Sequence, residues 1–445
     1  MSHITRGHPF SRILLAISLL AFGMSVSVPA YASGGQSLFV WSNAIDDLGA
    51  NKDLPLLGAT PPEPHTSTTG GTNYNITFPY AGTFSSLSFY SADDLGAGNG
   101  SGSNSIFTKI NGSAGNLSAT IVGLGVALDA TNTDQIATST DVRYGSAKTG
   151  TQTLASWVKV LFQAAGDHVS AYFSNRIPAG ITYDQTAIRY LEFAGDGRTD
   201  GEATEASVAL KARAGGVLEN FSIHVVANAA TSSNRIIRVR KNSANGNGLI
   251  TIPAGGTGWF YDATSTDTIA SGDTFNAKIE PLTASDDIKI DQIGIWMRNP
   301  SAPESDLFIS PGLQSGASGV ARPASTTPSY ASIGGSGSSA LSAFSGDLTT
   351  RKFAPGFAGT ARNLRVRLSA NTYTATSTLK LKNSTQSTEI SLSLPPKGGG
   401  AANYENTTDD LDFSATDELV YEILGGTSGS MTVQWIGSTL LDTTP

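Results

Sequence analysis

The chain has 445 residues, carries a formal charge of −8 at pH 7 and contains no cysteine. An acidic chain without a basic cluster excludes nucleic acid and anionic membranes as expected partners, because both require Lys and Arg to neutralise phosphates. Charged residues make up 14% of the chain, against roughly 25% in ordinary soluble domains, so Ser, Thr, Asn and Gly must supply the polar surface.

The first 32 residues have the pattern of an export signal. Arg6 and Arg12 give a basic start, an apolar run follows over 13–24, and Ala-Tyr-Ala at 30–32 is a small-x-small cleavage sequence. The twelve apolar residues are too few to span roughly 30 Å of hydrocarbon, so we predict cleavage before Ser33 and no membrane insertion. The protein is therefore expected to be secreted, in the extracellular space or at the cell surface. The lack of cysteine in an exported chain favours a bacterial or archaeal source.

Along the rest of the chain, one succession of elements recurs three times. Each copy is predicted to open with a short apolar strand, at Leu38, Ser170 and Leu307. A long polar segment follows, over 49–75, 178–206 and 311–346, and its Pro, Gly, Ser and Thr content predicts a surface loop.

A glycine then precedes apolar positions five and seven residues later, in the sequences that start at Gly82, Gly216 and Gly359. The alternation predicts a strand with one buried face, and we expect the glycine to mark a tight turn before it. Next comes a strand that ends in a hairpin turn at Asn111, Asn242 and Asn383, because Asn tolerates the left-handed backbone of such turns.

An Asx/Thr loop that leads into another strand follows, over 129–141, 262–273 and 406–417. The last strand of each copy carries a tryptophan, namely Trp157, Trp296 and Trp435, which we expect to pack in the core. The recurring intervals predict three tandem modules over residues 33–166, 167–301 and 302–445, after a signal peptide over 1–32.

The short strands and turn signals predict an all-β fold of antiparallel β-sandwiches, with a jelly roll as first choice and an immunoglobulin-like sandwich as second. The glycine-strand, Lys-Asn hairpin and Asx/Thr-loop motifs resemble tandem jelly-roll modules of bacterial extracellular and phage surface proteins. This resemblance implies a fold and a compartment, and it implies neither a ligand nor a role for any residue.

The sequence contains no catalytic motif of the HExxH, GxSxG, P-loop or GxGxxG type, so we predict no catalytic site and no enzyme activity. Three histidines remain after the signal, His65, His168 and His224, and each is expected to be an ordinary surface residue. No cofactor is expected apart from Ca²⁺, for which oxygen-rich loops are the usual ligands.

Two kinds of segment offer oxygen ligands for Ca²⁺. The Asx/Thr loops carry carboxylates in every copy, with Asp262, Asp267 and Asp273 as the leading set and further ones at Asp129, Asp134, Asp141, Asp409, Asp410 and Asp417. A second set is Asp196, Asp200 and Glu202. The alternative is that these residues form turns by bonding to their own backbone.

An exposed aromatic ring would indicate sugar binding, and Trp259 with Tyr261 is the best candidate because the pair lies between a Gly-rich turn and an acidic loop. Three functions remain open. The first is a non-catalytic structural or adhesive protein, self-associating into a filament, sheath or coat. The second is a multivalent protein that binds a surface polysaccharide, and the third is a secreted glycoside hydrolase that uses two carboxylates.

Overall fold

The computed structural model describes a large part of the chain after the predicted signal, and every structural statement below refers to these residues: 36–41, 52–54, 56, 75–92, 103–123, 125–149, 154–165, 169–183, 187–193, 203–212, 215–230, 233–281, 287–298, 306–309, 320–333, 344–346, 348, 351–396 and 402–442. They contain thirty β-strands and one 3₁₀ turn, Glu205–Ser207. No helix among them has the length and apolar character needed to cross a membrane.

The strands form three pairs of sheets, each pair from consecutive strands of the chain. The first sheet pair contains β1 (Gln36–Trp41), β2 (Lys52–Leu54), β3 (Ile76–Phe78), β4 (Gly82–Ala92), β5 (Ser103–Ile110), β6 (Ser113–Val122), β7 (Gly125–Asp129), β8 (Asp134–Ile136), β9 (Thr140–Lys148) and β10 (Leu154–Ala164).

The second sheet pair contains β11 (Val169–Tyr183), β12 (Arg189–Leu191), β13 (Leu210–Lys211), β14 (Gly216–Asn228), β15 (Arg235–Lys241), β16 (Ala244–Ile252), β17 (Gly258–Asp262), β18 (Asp267–Ile269), β19 (Thr274–Ile279) and β20 (Ile288–Arg298). The third contains β21 (Asp306–Ile309), β22 (Val320–Pro323), β23 (Ser329–Ala331), β24 (Gly359–Asn371), β25 (Ser377–Asn383), β26 (Thr388–Leu394), β27 (Ala402–Asn406), β28 (Leu411–Phe413), β29 (Leu419–Leu424) and β30 (Ser430–Asp442).

All three pairs have the same strand order. One sheet of each, here called the opening sheet, has the order β1-β10-β4-β7, β11-β20-β14-β17 or β21-β30-β24-β27. The other, the hairpin sheet, has the order β2-β9-β5-β6, β12-β19-β15-β16 or β23-β29-β25-β26. The first main strand thus neighbours the last and the two middle strands form a hairpin, which is the nested antiparallel pairing of a jelly roll. The all-β antiparallel fold class is confirmed.

Each sheet pair encloses apolar side chains from both of its sheets. Phe84 of β4 and Ile106 of β5 share the first core, Ile223 of β14 and Ile237 of β15 share the second, and those of the third include Val366 and Leu381. Alternation of buried and half-buried residues along β15 and β25 shows why the period-two pattern was readable in the sequence. Residues Gly34–Pro445 belong to a single compact unit, and the predicted module boundaries stay a prediction.

The long polar segments contain more structure than expected. Short strands lie within all three, namely β2, β12, β22 and β23, together with the end of β11 and the 3₁₀ turn. They pair with longer strands of the sheets. Apart from β11, these strands have three or four residues, which is too short for an alternating pattern to stand out.

The recurring glycine lies at the same place in each sheet pair, but it does not mark a turn. Gly82, Gly216 and Gly359 are the first residues of β4, β14 and β24. A Cβ on Gly216 would lie 2.7 Å from the carbonyl oxygen of Arg298 in the neighbouring strand, so the position requires glycine for close strand approach. The predicted tight turn at this glycine is therefore wrong.

Four residues after that glycine, each strand has one residue with a left-handed backbone. These residues are Ser86 (φ 52°), Asn220 (φ 52°) and Asn363 (φ 56°). The pairing register with the closing strand shifts there in all three sheets, so the residue forms a β-bulge. Asn adopts this conformation more readily than most other non-glycine residues, and the sequence analysis overlooked the two Asn residues.

The sheet pairs contact one another through the outer faces of the opening sheets. Trp157 of β10 packs in the third core, and its indole N–H donates to the carbonyl of Lys352 at 3.1 Å. Trp296 of β20 packs in the first core against Phe78. Arg365 of β24 donates to the carbonyl of Lys211 in the second sheet pair at 3.3 Å. The contacts thus run from first to third, third to second and second to first.

Trp157 and Trp296 are fully buried, as predicted. However, they occupy different positions in the repeated plan. Trp157 pairs with Tyr90 and Trp435 pairs with Arg367, and these two partners are equivalent. In the second sheet pair the residue at the position of the tryptophan is Gln292, so Trp296 lies four residues further along β20. The side chain of Trp435 lies outside the described residues.

Candidate functional site

The start of each Asx/Thr loop is closed by one side chain that bonds the backbone. In the second sheet pair, Asp262 accepts hydrogen bonds from the backbone N–H of Thr264 at 3.2 Å and Ser265 at 3.0 Å, and from that of Leu249 at 2.8 Å. Burial raises the pKa of Asp262, but these hydrogen bonds outweigh it and leave the pKa below its usual value. Asp262 therefore works as a turn residue that also ties the loop to β16.

Asp129 has the same arrangement in the first sheet pair, where Ser118 of β6 donates from its backbone N–H at 2.9 Å. Burial raises the pKa of Asp129, but hydrogen bonds from Ser118, Asn132 and Thr131 outweigh burial and lower the pKa to about 2. In the third pair Asn406 takes this place, and its amide donates to the carbonyl of Ser391 at 2.8 Å. The side chain is a carboxylate where the strand offers an N–H and an amide where it offers a carbonyl.

Asp267 lies beneath the bulged hairpin β15–β16. Its carboxylate accepts from the backbone N–H of Asn247 at 2.8 Å and of Gly248 at 3.1 Å. A Cβ on Gly246 would lie 2.6 Å from this carboxylate, so glycine makes room for it. Asp134 repeats the arrangement in the first pair, with Asn116 and Leu117 as donors, and Leu411 occupies the place in the third.

The last carboxylate of the loop meets the hairpin asparagine. Asn242 donates to Asp273 at 2.7 Å, and Asn383 donates to Asp417 at 2.8 Å. In the first pair the aspartate stands one residue later in the loop. The backbone N–H of Asp141 donates to Asn111, and the equivalent donor to Asn242 is the N–H of Thr274, the residue after Asp273. Asp141 is therefore not equivalent to Asp273, which corrects the interval that the sequence analysis used.

The expected calcium ligands do not converge in the described part of the chain. It contains no group of three or more His, Cys, Asp or Glu side chains arranged to hold a metal ion. Asp262, Asp267 and Asp273 instead accept from different segments of backbone and from Asn242. Asp196, Asp200 and Glu202 lie outside the described residues, and calcium binding stays a prediction.

Trp259 and Tyr261 are brought together as a stacked pair. They lie two residues apart on β17 and so share one face of that strand. Their ring centroids are 5.8 Å apart and the ring planes differ by 15°. Tyr261 is 46% exposed and Trp259 is half-buried, so the tyrosine is the solvent-facing member.

Polar residues of the first sheet pair surround the Tyr261 hydroxyl. The oxygen lies 2.8 Å from Oγ1 of Thr77, and Thr77 donates to Asp141 at 2.6 Å. Asn75 donates to the other oxygen of Asp141 at 3.3 Å and accepts from Arg143. A continuous hydrogen-bond chain therefore crosses the junction between the two sheet pairs.

His224 is not the surface residue that the sequence suggested. It is buried on β14, its Nδ1 lies 2.5 Å from Asp291, and its ring centroid lies 5.0 Å from that of Trp259. Its face of the strand is covered because the opening sheet packs against the first sheet pair. His65 and His168 lie outside the described residues.

Lys159 is a buried cation that the sequence analysis overlooked. It lies on β10 between the first and third sheet pairs, donates to the carbonyl of Pro355, and lies over the ring of Phe353 at 5.6 Å. Burial lowers the pKa of Lys159 to about 7. A lysine in the polar phase of a strand is ordinarily exposed, so nothing in its sequence context indicated this burial.

An exposed apolar corner lies where β6 turns into β7. Three of the seven large apolar residues that are exposed in the described part of the chain lie at this turn. Val122, the last residue of β6, is 77% exposed, and Val126 at 47% and Leu128 at 56% share the outer face of β7. The residues equivalent to Val126 and Leu128 are Trp259 and Tyr261 in the second pair and Asn403 and Glu405 in the third. The apolar corner is therefore peculiar to the first sheet pair.

Comparison with known proteins adds no family. No model of a known protein family matches the chain, and no curated protein resembles it significantly.

Proposed function

We propose that the chain is a non-catalytic secreted structural or adhesive protein, a subunit of an extracellular filament, sheath or coat that assembles through contacts between β-sheets. The single observation that carries this proposal is the apolar corner of Val122, Val126 and Leu128. Val126 and Leu128 share the outer face of β7, and neighbouring exposed apolar side chains are typical of a surface that binds another protein.

The corner lies on two strand edges that are open in the described structure. There β6 pairs only with β5, and β7 pairs only with β4 and lies beside β6. An open edge presents backbone N–H and carbonyl groups to which another chain can add.

In the other sheet pairs, the edge strand equivalent to β6 is followed by a residue that prevents further pairing. A proline directly follows β16 and β26, namely Pro253 and Pro395, whereas Val122 ends β6 and a glycine follows it. Proline lacks the N–H that a ladder needs, so it prevents further pairing at that end of an edge strand. The first sheet pair lacks this protection and adds apolar side chains instead.

A second copy of the chain is the occupant that the contacts favour. The residues equivalent to Leu128 already contact a neighbouring sheet pair, Tyr261 through Thr77 and Glu405 through Lys211. Val126 pairs with Tyr90, which packs against the third core, so the corner continues an existing interface. The proposed contact between copies thus extends a surface on which sheet pairs already meet.

A different route to assembly is exchange of the opening strand β1, through which residues 33–42 would complete a sheet of a neighbouring copy. In the structure, β1 pairs with β10 along six residues and also contacts β11 and β21. Exchange would break these contacts, so we favour the corner.

Electron microscopy and sedimentation of the secreted protein test the proposal. We expect filaments, lattices or defined oligomers for the natural sequence and single chains for the double variant Val126→Lys/Leu128→Lys, because two buried charges would oppose the contact. Val226→Lys is the matched control, since Val226 is 37% exposed on another strand. Single chains for the natural sequence at every concentration, or unchanged assembly of the double variant, would contradict the proposal.

Two further arms separate the alternatives. Loss of assembly on deletion of residues 33–42, with the double variant still assembling, would indicate strand exchange instead. A calcium chelator tests the predicted ion, because assembly that persists in the chelator does not depend on calcium.

A further inference from the structure

We infer that Tyr261, supported by Trp259 and bordered by Thr77 and Asp141, binds one uncharged pyranose unit of a polysaccharide. The site lies at the junction of the first and second sheet pairs. It is distinct from the apolar corner, so it can hold or fail independently of the proposed assembly.

The first support is a flat aromatic surface that is already fixed. Tyr261 stacks on Trp259 with 15° between the ring planes, and its hydroxyl is held by Thr77 at 2.8 Å. The ring is therefore restrained at one face and at its hydroxyl before any ligand arrives. Binding to a restrained surface costs little side-chain entropy, which favours affinity.

The second support is the exposure of Tyr261. Tyr261 keeps 46% of its area open, whereas most aromatic side chains of the cores are fully buried. The face of an aromatic ring carries partial negative charge, and the C–H bonds on one side of a pyranose ring carry partial positive charge. A sugar with equatorial hydroxyls presents such a C–H surface, and it can lie flat on Tyr261.

The third support is the supply of hydrogen-bond acceptors beside the ring. The hydroxyl of Thr77 has one proton, which it donates to Asp141 at 2.6 Å. Tyr261 must then donate its own proton to Thr77, so the tyrosine oxygen is left as an acceptor. Half-buried Asp141 adds a carboxylate, and sugar hydroxyls are the donors that match such acceptors.

Charge restricts the ligand to uncharged sugars. Asp141 borders the ring, Asp291 lies close behind through His224 and Trp259, and the nearby Arg143 is bound to Asp53 and buried. A phosphate or carboxylate group at this place would face the negative charge of Asp141. Nucleic acid and acidic polysaccharides are therefore disfavoured although aromatic rings also stack with bases.

The site occurs once per chain in the repeated plan. The residue equivalent to Tyr261 is Leu128 in the first sheet pair and Glu405 in the third, and neither has an aromatic ring. The multivalent binding considered from the sequence would therefore need several copies of the chain. We expect a stoichiometry of one oligosaccharide per chain.

Isothermal titration of the purified chain with cellohexaose, mannohexaose and chitohexaose, and with hexagalacturonate as the acidic comparison, tests the inference. We expect at least one neutral hexasaccharide to bind and hexagalacturonate not to bind. Tyr261→Ala should weaken binding about ten-fold or more, since the stacking surface is lost, and Tyr261→Phe about three-fold, since only the hydroxyl is lost. Leu424→Ala, which shortens another exposed side chain on β29 of the third sheet pair, should leave the affinity unchanged.

A second variant guards against a folding defect. Thr77→Val keeps the shape of the side chain and removes the hydroxyl, so we expect an intermediate loss of affinity with an unchanged melting temperature. Absence of binding to all three neutral sugars, equal affinity of Tyr261→Ala, or preferential binding of hexagalacturonate would each overturn the inference. Repeating the titration on Val126→Lys/Leu128→Lys keeps the test separate from assembly.

Discussion

The hairpins β15–β16 and β25–β26 have the same length. They differ in where two residues lie, which are in a β-bulge of the first hairpin and in the turn of the second. Eleven positions separate the paired residues Arg238 and Leu249, as they do Lys380 and Ser391. In the second sheet pair the turn has two residues and the ladder is bulged, so that 246–248 lie opposite Val239. In the third the turn has four residues and the ladder is regular.

This difference explains why one loop carries a buried carboxylate and the other a leucine. A bulge leaves backbone N–H groups without a partner in the ladder, and Asp267 accepts from two of them. The regular hairpin leaves no such groups, and Leu411 joins the third core instead. Acidic residues in these loops therefore follow from the backbone that they must satisfy, and their number is weak evidence for a metal site.

The largest effect on stability is expected when the carboxylate of the bulged hairpin is replaced by the leucine of the regular one. Asp267→Leu would leave the N–H groups of Asn247 and Gly248 unsatisfied, and we expect a loss of about 3 kcal/mol in the free energy of unfolding. Asp267→Asn, which keeps one acceptor oxygen, should lose about half as much. Urea unfolding measures both, and a loss below about 1 kcal/mol for Asp267→Leu would refute the role given to the bulge.

A smaller effect is expected where the partner atom is a carbonyl. Asn406→Asp would place a carboxylate against the carbonyl of Ser391, to which Asn406 now donates at 2.8 Å. The site is partly exposed, so we expect a loss of about 1 kcal/mol in urea unfolding. The reciprocal change Asp262→Asn, facing the N–H of Leu249, should also destabilise. A stabilised Asn406→Asp variant would show that the strand does not select the side chain.

The smallest effect is expected in the pH dependence. The pKa of Asp129 is lowered to about 2, below its ordinary value of 3.8, so the folded state holds this carboxylate ionised more strongly than the unfolded chain does. Its stabilising contribution is complete above about pH 4 and is lost as the pH falls towards 2. Thermal unfolding from pH 5 to 2 should show a shallower decline for Asp129→Asn. Parallel curves for the two proteins would contradict the assignment.

The period-two strands and the left-handed hairpin turns at Asn111 and Asn242 could be predicted from the sequence because both depend on residues close together in the chain. At the third turn the predicted left-handed Asn383 is wrong, since Asn383 ends β25 and Ser387 has the left-handed backbone (φ 61°). The role of Gly216 could not be predicted, since it depends on the carbonyl of Arg298 across the sheet. The burial of His224 and Lys159 could not be predicted either, because contacts between sheet pairs cover their faces of the strands. The spacing of Trp259 and Tyr261 already indicated that they share one face of a strand. The hydrogen bond between Thr77 and Tyr261 could be seen only in the folded structure.

The difference between the bulged and regular hairpins was partly visible. An aspartate stands at 134 and 267 and a leucine at 411, and a glycine stands at 115 and 246 while Thr388 occupies the matching place in the third copy. These substitutions vary together. The sequence analysis counted the acidic residues of the loops as one set and so missed that the third copy had changed its chemistry.

The insertion of Trp157 into the third core has a consequence for how the chain reaches its final state. The indole and the carbonyl of Lys352 that it binds are 195 residues apart in sequence. Closing so long a loop is slow, and until Phe353 has been synthesised the surface around Trp157 and Leu161 stays uncovered. A shortened chain that ends before Phe353 would keep an apolar surface that the whole protein hides. The amino-terminal third is therefore tied to the carboxy-terminal third for its solubility.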